Sequence, residues 1–298
     1  MSPLLLALAA AVHGAEPPPP VPPSPQGVSP APWEIALGGD MMLHARQLTA
    51  ARQPDGTFSL DGVFDGIGPL MSSADVAGVN LETTLAGEER GWQGGSTGIP
   101  GVVRFNSPDV VLDALEAIEI DVLQMANNHC LDTGEQGLLR TLDAVDAHGF
   151  AHSGTYRSAA ERDTVCATID LPGGPLLAFL AYAETTEEPA TGHLAYQVNT
   201  FDPELVHHDI RRARAAGADL VVVSIHWGLE YRHHPEDYQV EWARGIVEAG
   251  ADVIWGNHPH VLQPIEIHTL RGPLDPWPHD ALVLYSVGNL VSNQRTPN

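Results

Sequence analysis

From Trp33 onward, short apolar runs of strand length alternate with segments of helical period, and this alternation constrains the chain to a layered α/β fold. The strand-length runs are Glu34 to Gly38, Asp75 to Asn80, Asp121 to Met125, Leu176 to Tyr182, Asp219 to Ile225, Asp252 to Trp255 and Ala281 to Val287. Between them Ser107 to Ile118, Gly134 to His148, Pro203 to Ala216 and Asp237 to Ala249 read as helices. Ser107 with Pro108 makes an N-cap and first-turn pair, and Gly217 and Gly250 stop the last two helices. With no internal repeat and no second linker, residues 33–298 are expected to form one domain.

The runs end in polar residues of a particular kind. Asp40 follows the first; Asn80 and Glu82 follow the second; Asn127, Asn128 and His129 the third; then come His226, the pair His258 and His260, and Asn289. In open α/β sheets the carboxyl ends of strands are where sites are built, so six loops carrying such side chains converge on one edge. In I-W-G-N-H-P-H-V-L-Q-P, Pro259 is expected to hold the backbone extended, so that His258 and His260 point to one side as a metal clamp. Asp40 after Gly38 and Gly39 can approach a cation closely or can cap a turn; Glu82 is placed to bridge two cations or to sit solvated in a loop. Asn128 offers an amide oxygen to a metal, His129 a proton to a leaving oxygen, and Asp132 can orient that imidazole. His226 ends the most apolar run, where a satisfied core histidine and a ligand are both reasonable, and Glu230 is expected to hold a neighbour in orientation. His44, His233 and His234 are ambiguous, and His207 and His208 read as a solvated helix face. Together Asp40, Glu82, Asn128, His226, His258 and His260 make a mixed oxygen and nitrogen set suited to two divalent ions about 3.5–4 Å apart, an arrangement that serves phosphoester hydrolysis.

Charge narrows the functional classes. Thirty-eight acidic residues against fourteen arginines and no lysine give a net charge of −24, which argues against nucleic acid and anionic membrane surfaces as partners. The absence of lysine excludes a Walker P-loop, a Schiff-base enzyme and a Ser-Lys dyad. An acidic protein acting on an anionic substrate needs local positive charge, and a bound metal supplies it. Residues 1–15 read as a signal peptide without its basic n-region, the alternative being an untranslocated apolar tail; residues 16–32 hold nine prolines and read as a semi-rigid tether. Cys130 and Cys166 are compatible with one disulfide or with two buried thiols, and we expect the latter. G-G-S-T-G, Gly94 to Gly98, fits G-x-S-x-G around Ser96, the signature of a serine hydrolase if a strand precedes and a helix follows.

The motifs G-D-M-M-L, N-L-E, N-N-H with a following Asp, H-W-G-x-E-Y, H-P-H-V-x-Q-P-x-E and Y-S-V-G-N-L-V occur in this order between Glu34 and Gln294. The ordered set resembles the capsule-synthesis CapA family of poly-γ-glutamate synthesis proteins, which is similar in fold to the calcineurin-like metallophosphoesterases. The resemblance implies a single-domain α/β/β/α sandwich holding two divalent ions, Mn, Fe or Zn. By similarity Asp40 is the first-strand ligand, Glu82 the bridging carboxylate, Asn128 and His129 the ligand and general acid, His226 the isolated His ligand, and His258 with His260 the closing H-x-H. Asn80, Asn127, Glu230 and Asn289 are expected to support them. Metallophosphoesterases carry D-x-H on the first strand, whereas Met42 stands at the third position here, so either one metal site is short of a ligand or His44 substitutes. The chain ends soon after Gly288 and Asn289, and the resemblance implies a further C-terminal portion. The expected function is an exported, periplasmic or surface-associated, metal-dependent hydrolase or transferase acting on an anionic polymer or phosphoester. The alternative is a non-catalytic metal-binding subunit of a membrane-bound polymer synthase complex.

Overall fold

The computed structural model describes residues 32–164, 167–188, 190–270 and 279–294. In chain order these form β1 (Ile35–Met41), α1 (Ala45–Ala51), α2 (Gly68–Met71), β2 (Val76–Leu81), β3 (Gln93–Ser96), β4 (Val103–Asn106), α3 (Val110–Glu116), β5 (Val122–Gln124) and α4 (Gly134–His148). There follow β6 (Ala151–Ser153), α5 (Ala159–Thr164), β7 (Ala167–Asp170), β8 (Leu176–Ala183), α6 (Pro203–Ala215), β9 (Leu220–His226), α7 (Asp237–Glu248), β10 (Val253–Asn257), β11 (Ile265–Leu270), β12 (His279–Leu284) and β13 (Asn289–Val291).

Strands β13-β1-β2-β5-β6 form one sheet, parallel throughout. The order β11-β12-β10-β9-β8-β7 forms the other, parallel in its middle and antiparallel at both edge pairs. Parallel strands covered on both faces must be apolar on both, which is why β2 and β9 read as near-continuous hydrophobic runs and are buried along almost their whole length.

The two sheets share one core layer, in which Val76 and Val122 of the first meet Phe179, Val222 and Trp255 of the second. Trp255 also donates its indole N–H to the carbonyl of Gly38 at 3.0 Å, tying β10 to β1. Gly78 leaves room for this ring, since a Cβ there would stand 3.1 Å from it. On the outer face of the first sheet, Leu112 and Leu115 of α3 and Leu138 and Leu142 of α4 pack with Val79, Leu81 and Leu123. On the outer face of the second, Val206 and Ile210 of α6 and Ile246 and Val247 of α7 pack with Val221, Val223 and Ile254. Each such aliphatic side chain contributes about 1.5–3 kcal/mol on burial. The result is the expected α/β/β/α sandwich.

The elements differ from the sequence expectation mainly at their ends. The helix expected from Ser107 begins at Val110, because the Ser107 hydroxyl instead meets Thr83 Oγ1 at 3.0 Å. The run Ala281 to Val287 leaves the sheet at Leu284, and β1 extends past Gly38 to Met41. Gly217 and Gly250 do follow α6 and α7, both at positive φ. The residues read as a leader and most of the tether, and Cys166, lie outside the described residues. Cys130 is buried, and burial pushes its thiol pKa up to about 12.

Candidate metal centre

Every loop that carries a candidate ligand leaves the carboxyl end of a parallel strand. Asp40 lies in register with Asn80 of β2 on one side and Asn289 of β13 on the other, while His226 ends β9 opposite Asn257 of β10. Gly39 permits the alignment of Asp40 with Asn289. A Cβ there would fall 1.9 Å from the Gly288 carbonyl, so only glycine lets the two backbones close and Asp40 N–H donate to that carbonyl at 3.0 Å.

The side chains converge as follows. Single ligand atoms of Glu82, His226 and His258 lie within 4.8 Å of one another, and so do those of Asp40, Glu82 and His260. Glu82 belongs to both groups, the position required of a bridging carboxylate. Asn128 joins the first group, its Oδ1 2.8 Å from His226 Nε2. The supporting asparagines form a chain of hydrogen bonds. Asn127 donates to Asn80 Oδ1 at 3.1 Å; Asn80 in turn donates to Asp40 Oδ1 at 2.6 Å and lies 3.2 Å from His226 Nδ1. His260 Nδ1 lies 2.9 Å from Asp40 Oδ2 and 2.9 Å from Asn289 Oδ1. Glu230 is exposed, with its carboxylate facing the hydroxyl of its neighbour Tyr231, while Asn80 and Asn128 lie against His226.

The expected reason for the convergence of His258 and His260 is also corrected. Neither residue is extended; φ is 98° at His258 and 57° at His260, values that cost a non-glycine residue about 1–3 kcal/mol. The loop after β9 braces this conformation, since Tyr231 N–H donates to the Pro259 carbonyl at 2.8 Å. The rings of His226 and His258 are thereby brought to 4.7 Å and those of His258 and His260 to 5.8 Å.

Burial sets the electrostatics. It pushes the Glu82 carboxyl well above the usual range, helped by the charges of Asp40, Glu230 and Asp132. It holds His226 well below its usual value and lowers His258 to about 4, with neighbouring histidines adding to both effects. At His260 burial acts in the same direction, but the hydrogen bond and charge of Asp40 outweigh it and the net shift is upward. Neutral imidazoles at His226 and His258 are the form that ligates a metal.

The site fits a bound cation. Both carboxylate oxygens of Glu82 are buried without a hydrogen-bond partner among the described residues, as is Nδ1 of His258. Among the described residues the charge partners of Asp40 and Glu82 are the histidines His260 and His226. A carboxylate so placed is costly unless a cation faces it. Met42 is buried at the end of the first strand, and His44, at the start of α1, accepts a hydrogen bond from Asn293 N–H at its Nδ1.

Beside the ligands, His129 Nδ1 lies 2.9 Å from Asp132 Oδ2, the pairing expected of an oriented imidazole. Burial raises the Asp132 pKa, an effect that its hydrogen bond to His129 only partly offsets. Phe105, which the sequence reading missed, donates its N–H to the same Oδ2 at 2.5 Å and sets its ring edge-on to His129 at 4.7 Å. No periodicity marks β4, which carries it. Ser96 is not a nucleophile elbow: it ends β3 exposed, and the chain turns back into β4 with no helix following. The glycines around it serve packing, since a Cβ at Gly94 would stand 2.4 Å from the backbone of Ala45.

Three comparisons bear on this arrangement. The family model of the bacterial capsule synthesis protein PGA_cap matches residues 34–294. The PGA biosynthesis protein CapA of Bacillus subtilis (strain 168) is 29% identical over 264 residues, covering 86% of this chain and 62% of its own. The capsule biosynthesis protein CapA of Bacillus anthracis is 27% identical over 274 residues, covering 87% and 60%. This chain thus spans about three fifths of these relatives. Among solved structures, the Thermus thermophilus sulfate thiohydrolase SoxB aligns at 12% identity and a TM-score of 0.40, over 87% of this chain and 49% of that one.

Proposed function

The chain belongs to the family of bacterial capsule synthesis proteins, and from that premise we propose that it is an exported, metal-dependent hydrolase or transferase. Its substrate in this reading is an anionic capsule polymer such as poly-γ-glutamate, or a phosphoester in its assembly. The observation that carries the metal dependence is Glu82, a wholly buried carboxylate with neither oxygen hydrogen-bonded among the described residues, shared by two groups of potential ligands. Glu82, Asn128, His226 and His258 would hold one divalent ion, Mn, Fe or Zn, and Asp40, Glu82 and His260 a second. When bound, such ions supply Lewis acidity and positive charge at the reacting oxygens.

The chain's own residues do the rest. Asp132 accepts from Nδ1–H of His129 and fixes the ring, which leaves Nε2 to hand a proton to the leaving group. The asparagine chain from Asn127 through Asn80 keeps Asp40 and His226 in place, and Asn289 does the same for His260. The Phe105 ring packs edge-on against His129 at 4.7 Å.

A second reading, a metal-binding subunit of a membrane-bound polymer synthase complex that performs no chemistry, is favoured by Met42, whose thioether is a poor ligand for a hard ion. Metal content per chain separates the readings when measured for wild type and for the double variant His258→Ala, His260→Ala. Two equivalents in the wild type, lost in the double variant, with turnover of a phosphodiester or γ-glutamyl amide that falls about a hundredfold in Asp132→Asn, are the expected result. Metal without turnover of either substrate would favour the binding subunit. No metal in either protein after Mn, Fe or Zn loading overturns the proposed centre.

A further inference from the structure

Strand β11 ends the six-stranded sheet. It pairs with β12 over six residues in unbroken antiparallel register, and among the described residues no strand pairs with its other side. A free edge presents a row of backbone N–H and C=O groups to any strand that can add to it. Chains that stay apart blunt such an edge with a proline, a lysine or a bulge, and the strand sequence I-E-I-H-T-L with its regular register has none of these.

The edge is also apolar on one face. Ile265 stands opposite Leu284 and Ile267 opposite Leu282, so these four side chains share a face. The intervening residues of β12, Ala281, Val283 and Tyr285, are buried beneath α6 and α7 on the other face. Leu282 and Leu284 are half-buried, but Ile265 and Ile267 are 62% and 69% exposed, because the covering sheet ends short of β11. Isoleucines that project from a free edge beside half-buried leucines mark an interaction surface rather than a scattered surface residue. On the opposite face of the strand, Glu266 Oε2 lies 3.0 Å from His268 Nε2 and 3.1 Å from the Tyr285 hydroxyl.

We propose that β11 pairs antiparallel with β11 of a second copy of this chain, about a two-fold axis that passes through Ile267. Opposed residues in an antiparallel pair lie on the same face, so a symmetric seam can centre only on a residue. Centred on Glu266, it sets carboxylate against carboxylate; centred on His268, it sets imidazole against imidazole. Centred on Ile267, it sets Glu266 of each copy opposite His268 of the other. With the pair already present along each strand, carboxylate and imidazole then alternate around a square. The same register puts Ile267 against its own copy and Ile265 against Thr269, so the exposed isoleucines of both copies meet on the other face. The strand is thus complementary to itself in charge and in apolar surface at one register. The two edges close on each other and leave no template for further addition.

Sedimentation velocity on the whole chain, from about 1 to 100 µM in about 0.15 M salt, tests this; at that ionic strength the repulsion between two chains of charge −24 is screened beyond about 8 Å. A single strand seam is a small interface, and the expected result is a monomer–dimer equilibrium with a dissociation constant on the order of 10 µM. Ile267→Glu places two carboxylates on the axis and should weaken the dimer about a hundredfold. His268→Glu opposes two carboxylates twice and should weaken it about tenfold. Adding Glu266→His to His268→Glu exchanges the partners and should bring the constant back to within about threefold of wild type, which no other register predicts. Circular dichroism and metal content should match wild type in every variant, so a folding defect is distinguishable from a lost interface. A monomer at every concentration, a dimer indifferent to Ile267→Glu, an exchange that restores nothing, or assembly that grows past the dimer would each overturn the proposal.

Discussion

His258 carries the most conflicting demands of any residue in the site. Its backbone sits at a φ that favours glycine, its ring is packed between His226 and His260, and burial with the charge of His260 lowers its pKa to about 4. A folded-state pKa below the unfolded value of 6.5 means that the unfolded chain takes up the proton first as pH falls. The stability it contributes is therefore present above pH 6.5 and is lost toward pH 4. In metal-free protein, wild type should lose about 2 kcal/mol more than His258→Gln between pH 7 and pH 5, measured by urea denaturation at both pH values. The comparison cancels Glu82, which is common to both proteins and titrates with the opposite sign. The convergence of His258 with the other candidate ligands was legible in the H-x-H spacing, but its backbone was not. Pro259 suggests an extended segment, and the left-handed turn depends on a hydrogen bond from Tyr231, 28 positions earlier in the chain.

Among the elements, β1 and β13 show how strand pairing builds the site. Their backbones approach so closely at Gly39 that no side chain fits, and this approach sets Asp40 beside Asn289 and His260. Gly39→Ala should cost about 3 kcal/mol, because the clash is with backbone that cannot rotate away. Chemical denaturation measures that loss, and reduced metal content should accompany it. The interior strands were legible because parallel strands covered on both faces must be apolar throughout. The hairpin β3–β4 was not. Q-G-G-S is Gly-rich and shows no alternation, and it pairs through backbone bonds with V-R-F-N while its glycines accommodate the His44–Ala45 backbone. Edge strands β7 and β11 were missed as well, since an edge strand need not be apolar on both faces.

For the molecule as a whole, the relevant quantity is charge. A chain of net charge −24 that buries Asp40, Glu82 and Asp132 near one another is working against its own field, and a ligand that neutralises them should stabilise it. A divalent ion present at a hundred times its dissociation constant should add about 2.7 kcal/mol. Thermal unfolding with and without Mn or Zn checks this: the wild-type midpoint should rise and that of the His258→Ala, His260→Ala variant should not. No helix among the described residues is long and apolar enough to cross a membrane. The sequence by itself determined the fold class and the identity of the converging side chains, because burial on both sheet faces and the polar punctuation of strand ends are local properties. The tertiary structure decided that Glu82 is buried between two ligand groups rather than solvated in a loop, that Phe105 joins Asp132 beside His129, and that Arg90 and Arg104 line a cavity near them. Those facts depend on which loops meet at the sheet edge, and contacts between residues far apart in the chain leave no periodic trace in it.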